Sequence, residues 1–190
     1  MNPISLRRPA HAGHWLRIYK LYHAAFPRSE RKPFSVILRQ YRRGVFDVWC
    51  ICRQGTFSGL AITMKKDNMV LIDYLAICPD CRSQGVGTAA LQALRSTYPD
   101  KDLFLEIESV YEDVPDKLQR QRRKAFYLHS GLTPMEVMVM LFGVNMELLG
   151  FGCRISFAQY HDFYRSCMGP WAASHISSLP YPTTQIKEET

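Results

Sequence analysis

Between Met69 and Ile107 the hydrophobic period changes twice, and this stretch constrains the fold more than any other. Met69 to Ile77 (MVLIDYLAI) is apolar at nearly every position, as expected of a strand buried on both faces. Gly85 to Tyr98 repeats at helical spacing, with Val86, Ala90, Ala93 and Leu94 in one stripe. DLFLEIES then alternates, putting Leu103, Leu105 and Ile107 on one face and Phe104, Glu106 and Glu108 on the other. A strand, a helix and a strand joined in this order predict two parallel neighbouring strands.

The flanking sequence adds simpler elements. Ile4 to Arg7 reads as a short strand, and His14 to Ala25 as a helix with Trp15, Ile18, Tyr22 and Ala25 on one side, closed by Pro27. Pro33 suits a first helical turn, and the helix it opens ends at Gly44. Val45 to Arg53 and Thr56 to Lys65 are strand-like on either side of a Gln54-Gly55 turn. Asp116 to His129 is a helix stopped by Ser130-Gly131, and two strands follow around Val137 to Phe142 and Met146 to Phe151. Ser156 to Gln159 resembles a capping box that opens a last helix. The Ser-, Thr- and Pro-containing segment after Pro170 is expected to trail over the surface. The expected order is β α α β β β α β α β β α. One domain spans residues 1–152, with a helix and tail, 153–190, packed on it.

Composition narrows the partners. The 190 residues are 47% hydrophobic and 22% charged, which suits one compact domain and not a disordered chain. The net charge of +7 suggests a polyanionic partner: nucleic acid, a membrane surface or a phosphorylated small molecule. No apolar run approaches the roughly 20 residues that cross a bilayer. The first residues lack a signal-peptide core, so a soluble cytoplasmic protein is expected. The six cysteines should be free thiols in a reducing compartment. Cys78 and Cys81 have half of a zinc-ribbon spacing without a second pair, so no metal is expected.

The turn before the Gly85 helix is the candidate site. Gly85-Val86-Gly87 stands where the first helical amides have no intrahelical partner and the helix dipole is positive. Glycines there let a phosphate approach the backbone, and Arg82 adds a guanidinium fork. A P-loop would need Gly-Lys-Ser/Thr, but Thr88 follows Gly87 directly. GVGTAA fits a dinucleotide fingerprint, with Glu106 near the distance of its acid. However, the seven residues Cys78 to Gln84 separate strand from glycine, and the earlier strands form a meander.

CRSQGVGTAAL resembles motif A of the GNAT superfamily of acyl-CoA-dependent N-acetyltransferases, Q/R-x-x-G-x-G/A, on Arg82, Gly85 and Gly87. Pro79 to Arg82 resembles the P-x-x-R run before it. AFYLHSGL, about forty residues on, resembles the second signature, an aromatic-Tyr pair followed by x-x-x-Gly-aromatic, with Leu132 in the last aromatic place. Arg120 stands where the family often has asparagine. The resemblance covers roughly residues 4 to 150. It implies an α/β fold of mixed α+β character: a mostly antiparallel sheet whose central parallel pair splays at the cofactor, flanked by helices.

It also implies acetyl-CoA as cosubstrate, with its pyrophosphate on the turn of Arg82, Ser83, Gln84, Gly85, Val86, Gly87 and Thr88. The pantetheine arm would pair like an added strand along Leu75, Ala76 and Ile77. The Leu75 amide would polarise the thioester carbonyl. Acetyl transfer to a primary amine then proceeds by direct attack through a tetrahedral intermediate. That chemistry needs the amine to lose a proton and the thiolate to gain one. Tyr127, placed by the second signature, is the expected acid and also touches the cofactor. Glu106, Glu108 and Asp73 are the candidate bases, Glu106 first; Glu106 and Glu108 share a strand face about 7 Å apart.

Acids at Glu106, Glu108, Glu112, Asp113 and Asp116 precede the basic run KLQRQRRK, which suggests acids for a cationic amine and bases for the ribose phosphate. AAFPRSERKPF resembles the acceptor-side loop of bacterial members, with Tyr22, Phe26, Glu30 and Arg31 lining the groove. The acceptor is a small-molecule or peptide amine, and the C-terminal strands and helix offer surface for a homodimer. Two other readings are a basic nucleic-acid-binding module, which lacks any recognised nucleic-acid motif, and an acyl-CoA-binding protein of this shape that does not transfer.

Overall fold

The computed structural model describes residues 4–28 and 30–182. Among the described residues, eight strands form one sheet in the order β1-β2-β3-β4-β5-β7-β6-β8. They are β1 (Ile4–Arg7), β2 (Phe46–Arg53), β3 (Thr56–Lys66), β4 (Met69–Ile77), β5 (Asp102–Glu108), β6 (Thr133–Leu141), β7 (Val144–Gly150) and β8 (Ile176–Leu179). The helices are α1 (Ala12–Ala25), α2 (Phe34–Arg42), α3 (Val86–Thr97), α4 (Lys117–His129), α5 (Phe157–Met168) and α6 (Pro170–Ala173). Among the described residues, no helix is long and apolar enough to cross a membrane.

The expected element order is present, including the parallel β4–β5 pair linked by α3. All other pairings are antiparallel. Strand alternation divides the interior into two apolar layers. The first holds Ile18 and Tyr22 of α1, Ile37 of α2, and Tyr160, Phe163 and Tyr164 of α5 against one face of the sheet. The second packs Val86, Ala90, Leu91 and Leu94 of α3 against the other. The Ser156–Gln159 capping box forms at the start of α5: the Gln159 amide donates to Ser156 Oγ at 3.3 Å, and the Ser156 amide donates to Gln159 Oε1 at 2.9 Å.

The end of the chain departs from expectation. Residues after Pro170 do not simply trail. They make α6 and then β8, which pairs with β6 from Leu141↔Ile176 to Met138↔Leu179. The outer edge of β6 offers unpaired main-chain groups, and Ile176 gains burial by docking there. The serines of ISSL disguise the strand because they take its exposed positions. The expected tail beyond Pro182 lies outside the described residues.

β4 and β5 are paired only from Met69↔Asp102 to Ile72↔Leu105 and diverge beyond that point. The cause is visible on β3. Ile72 stands opposite Thr63 and Tyr74 opposite Ile62, so Asp73 is an extra residue without a partner. A bulge bends its strand and increases local twist. It also swaps the alternation. Leu71 and Tyr74 both enter the first layer, while Leu75 and Ile77 turn to the second. β5 continues straight, held by β7 through Glu108↔Met146. The sheet therefore opens at Asp73 and Glu106.

Candidate functional site

The opening has one wall of main chain. Cys78 N–H donates to Ser58 O at 2.9 Å, on the β3 side of β4. Alternation then turns the peptide groups of Tyr74 and Ala76 to β3 and those of Leu75 and Ile77 to the open edge. Beyond the strand, Arg82 Nε donates to Ile77 O at 3.2 Å, which folds the turn back over the strand end. Gln84 Nε2 donates to Asp80 O at 2.8 Å, and its Oε1 accepts from Arg53.

Ser83 has φ of 57° and Gly85 has φ of 74°, both left-handed, and α3 begins at Val86. Among the described residues, the amides from Ser83 to Thr88 find no acceptor, and the first return bond is Ala89 N–H to Gly85 O at 3.0 Å. A Cβ added at Gly85 would meet nothing within 4 Å, so the space above this turn is open. A Cβ at Gly87 would come within 2.9 Å of Phe126 on α4. Gly87 therefore lets α4 close against α3, which brings Tyr127 beside the second layer. The Tyr127 ring is half-buried, burial pushes its pKa up, and its hydroxyl has no hydrogen-bond partner among the described residues. An open, positively polarised row of amides and a free edge leading to it fit an elongated ligand with an anionic group at one end and amides along its length.

The other wall is made of side chains. Glu106 projects into the first layer's side of the opening, where Tyr160 Oη donates to Oε1 at 2.6 Å and Tyr164 Oη to Oε2 at 3.3 Å. Burial pushes the Glu106 carboxyl up to about 7; the nearby Asp73 charge adds to this, while Tyr160 and Lys32 oppose it. A carboxyl poised near neutrality suits a general base. Asp73, whose side chain is 4% exposed, is held by Lys32 Nζ at 2.7 and 3.0 Å. Burial pulls the Lys32 ammonium down, but Asp73 outweighs it and keeps its pKa above the usual value. Lys32 is fixed in turn, because its amide donates to Tyr74 Oη at 2.9 Å and Tyr22 Oη donates to its carbonyl at 3.0 Å.

The expected site residues thus separate into groups. Leu75, Ala76 and Ile77 line one strand end, and Arg82, Ser83, Gln84, Gly85, Val86, Gly87 and Thr88 form the turn and helix start beside it. Glu106 and Asp73 meet at the opening. Glu108 is set apart: Arg120 at 3.3 Å and Arg123 both hold its carboxylate. Acids and bases are paired here, not segregated, as Arg120 also binds Glu112 and Asp116, and Lys124 binds the fully buried Glu147 at 2.7 Å. Those cations are therefore engaged within the chain.

Tyr22 is a correction. It is fully buried in the first layer and supports the loop that carries Lys32 from below, since helical packing of α1 turns it inward. Phe26 packs on Tyr74 at 4.9 Å between ring centres, Arg31 reaches His23 O at 3.4 Å, and Glu30 is exposed, near enough to Glu108 and Arg123 to feel their charge. Sequence reasoning missed Lys32, Tyr74, Tyr160 and Tyr164. The two α5 tyrosines have the i, i+4 spacing of one helix face, a signal available in the sequence, but their partner is more than fifty residues away.

The sequence model of the "Acetyltransferase (GNAT) family" matches residues 15–117. Among solved structures, a GNAT-family protein from Bacteroides thetaiotaomicron is similar with a TM-score of 0.72 at 21% identity, covering 87% of this chain and 98% of that one. An aminoglycoside 6'-N-acetyltransferase complexed with coenzyme A gives 0.61 at 13% identity, covering 80% and 99%. The ribosomal-protein-S18-alanine N-acetyltransferase of Escherichia coli gives 0.58 at 14%, covering 80% and 96%. At these identities the structural likeness concerns the fold. No curated protein sequence matches the chain.

Proposed function

The chain belongs to the GNAT acetyltransferase family, and from that premise we propose that it moves an acetyl group from acetyl-CoA to a primary amine by direct attack at the β4–β5 opening. Family membership makes it an acetyl-CoA-dependent N-acetyltransferase. The finer roles are our reading. The amides of Gln84 to Thr88, with Arg82 and Ser83 beside them, hold the pyrophosphate. The peptide groups of Leu75 and Ile77, on either side of Ala76, pair with the pantetheine amides as an added strand does. The Leu75 amide donates to the thioester oxygen as negative charge develops there.

Glu106 takes the proton of the attacking amine, directly or through one water, because burial leaves it basic enough near neutral pH. Tyr127 returns a proton to the departing thiolate. Asp73, tied to Lys32, places its charge beside Glu106. Phe26, Glu30 and Arg31 border the acceptor's approach, and the acceptor is a small-molecule or peptide amine. The catalytic unit lies within residues 1–152, and the described part of the C-terminal segment, 153–182, packs on it as its extension.

The observation that carries this reading is the conjunction of a row of unpartnered amides with a near-neutral carboxyl across one gap. The test is mass spectrometry of products from acetyl-CoA and a panel of amines: diamines, aminoglycosides, amino acids and short peptides. A mass gain of one acetyl group on at least one amine is expected. Acetyl-CoA should also raise the melting temperature. No product across the panel, with no thermal shift at saturating acetyl-CoA, would contradict the proposal.

A further inference from the structure

We propose that Tyr160 and Tyr164 of α5 are positioning residues for the base: their hydroxyls clamp the two oxygens of Glu106 and set both its orientation and its proton affinity. This rests on Glu106 being the base. The clamp comes from outside the stretch that the family model matches, since α5 (Phe157–Met168) lies beyond residues 15–117. The segment expected to be only packing thus supplies two groups to the site.

The geometry is specific. Tyr160 and Tyr164 stand one helical turn apart, so both hydroxyls reach one carboxylate. They are 0% and 1% exposed, and a hydroxyl at such depth is costly unless bonded. Each has Glu106 as acceptor, at 2.6 Å on Oε1 and 3.3 Å on Oε2. The short bond anchors one oxygen, and the long bond leaves the other freer to receive a proton. The capping box at Ser156 and Gln159 fixes the start of the helix that carries the pair.

The other groups facing Glu106 are Asp73 on β4 and Lys32 in the α1–α2 loop; its neighbour across β7 is the uncharged Leu148. Burial raises the carboxyl's affinity for a proton, and so does Asp73. Lys32 and the two hydroxyls favour the charged form. Without the tyrosines the carboxyl would stay protonated to higher pH and serve poorly as a base. Both tyrosine hydroxyls are themselves raised well above their usual range, by burial and then by the Glu106 charge, so they act as donors that keep their protons.

The test is a carboxyl-carbon NMR titration of the full chain labelled in glutamate, without acetyl-CoA, with Glu106→Gln identifying the resonance. The parent midpoint should lie near neutrality. Tyr160→Phe keeps the ring and its packing and should raise the midpoint by about one pH unit, a tenfold change in proton affinity. Tyr164→Phe should raise it by less, in keeping with its longer bond. Midpoints unchanged in both variants would overturn the proposal, because tyrosines that merely pack would leave the titration alone. Should one variant fail to fold, the other decides. The acid limb of turnover separates the two readings: a moved midpoint with an unmoved limb keeps the clamp and removes Glu106 as the base.

Discussion

On the α3 side of the opening between β4 and β5 the protein presents main chain; on the α1 and α5 side it presents side chains. The first wall is contiguous in sequence, running from Leu75 to Thr88, and its chemistry comes from where the backbone leaves amides unpaired. The second gathers Lys32, Asp73, Glu106, Tyr160 and Tyr164 from four separate segments, and its chemistry comes from burial and from who pairs with whom. A wall of amides can grip a ligand common to a whole family with little demand on side-chain identity. A wall of titratable groups drawn from separate segments depends instead on the identity of each side chain.

The largest expected effect is on the side-chain wall. Turnover in the parent should rise with pH through about 7, because Glu106 must be ionised to accept a proton and burial raises it to that value. Glu106→Gln should lower acetyl transfer by about 10²–10⁴-fold and remove that limb, while the thermal shift with acetyl-CoA survives. A lost thermal shift would mean that the two walls are not separable. Lys32→Met comes next. It strands the Asp73 carboxylate and should cost roughly 2–4 kcal/mol in urea unfolding, somewhat below a fully buried pair because the Lys32 side chain is 21% exposed.

On the main-chain wall, Gly85→Leu puts a side chain into the open cradle at φ of 74°. The unliganded protein should lose about 1–2 kcal/mol to backbone strain, and the acetyl-CoA thermal shift should vanish. Tyr127→Phe should lower kcat by about tenfold while leaving the KM for acetyl-CoA nearly unchanged, which steady-state kinetics would read. An unchanged kcat would move the acid elsewhere. Smallest is Ser156→Ala, which uncaps α5 and should cost about 1 kcal/mol of stability by thermal melting.

The same contrast explains what the sequence disclosed. Strand and helix periods, the glycines at 85 and 87, and the capping box are local signals, and each matches an element in the structure. The Asp73 bulge is different. A single acid in an apolar strand suggested a base, yet its consequence, the opening of the sheet, depends on register with β3, which no local pattern encodes. Glu106 and Glu108 looked alike because alternation gave them one face. Their partners separate them: buried tyrosines from α5 for one, guanidiniums from α4 for the other. β8 was hidden because a four-residue edge strand with two exposed serines resembles a polar tail.

The most direct measurement is an amide NMR titration of the nitrogen-labelled chain with coenzyme A. The largest shifts are expected at Gly85, Val86, Gly87 and Thr88, where bare amides would meet the diphosphate, with further shifts at Leu75 and Ile77 along the free strand edge. Saturating binding that leaves those resonances in place, with its shifts elsewhere on the sheet, would contradict this placement.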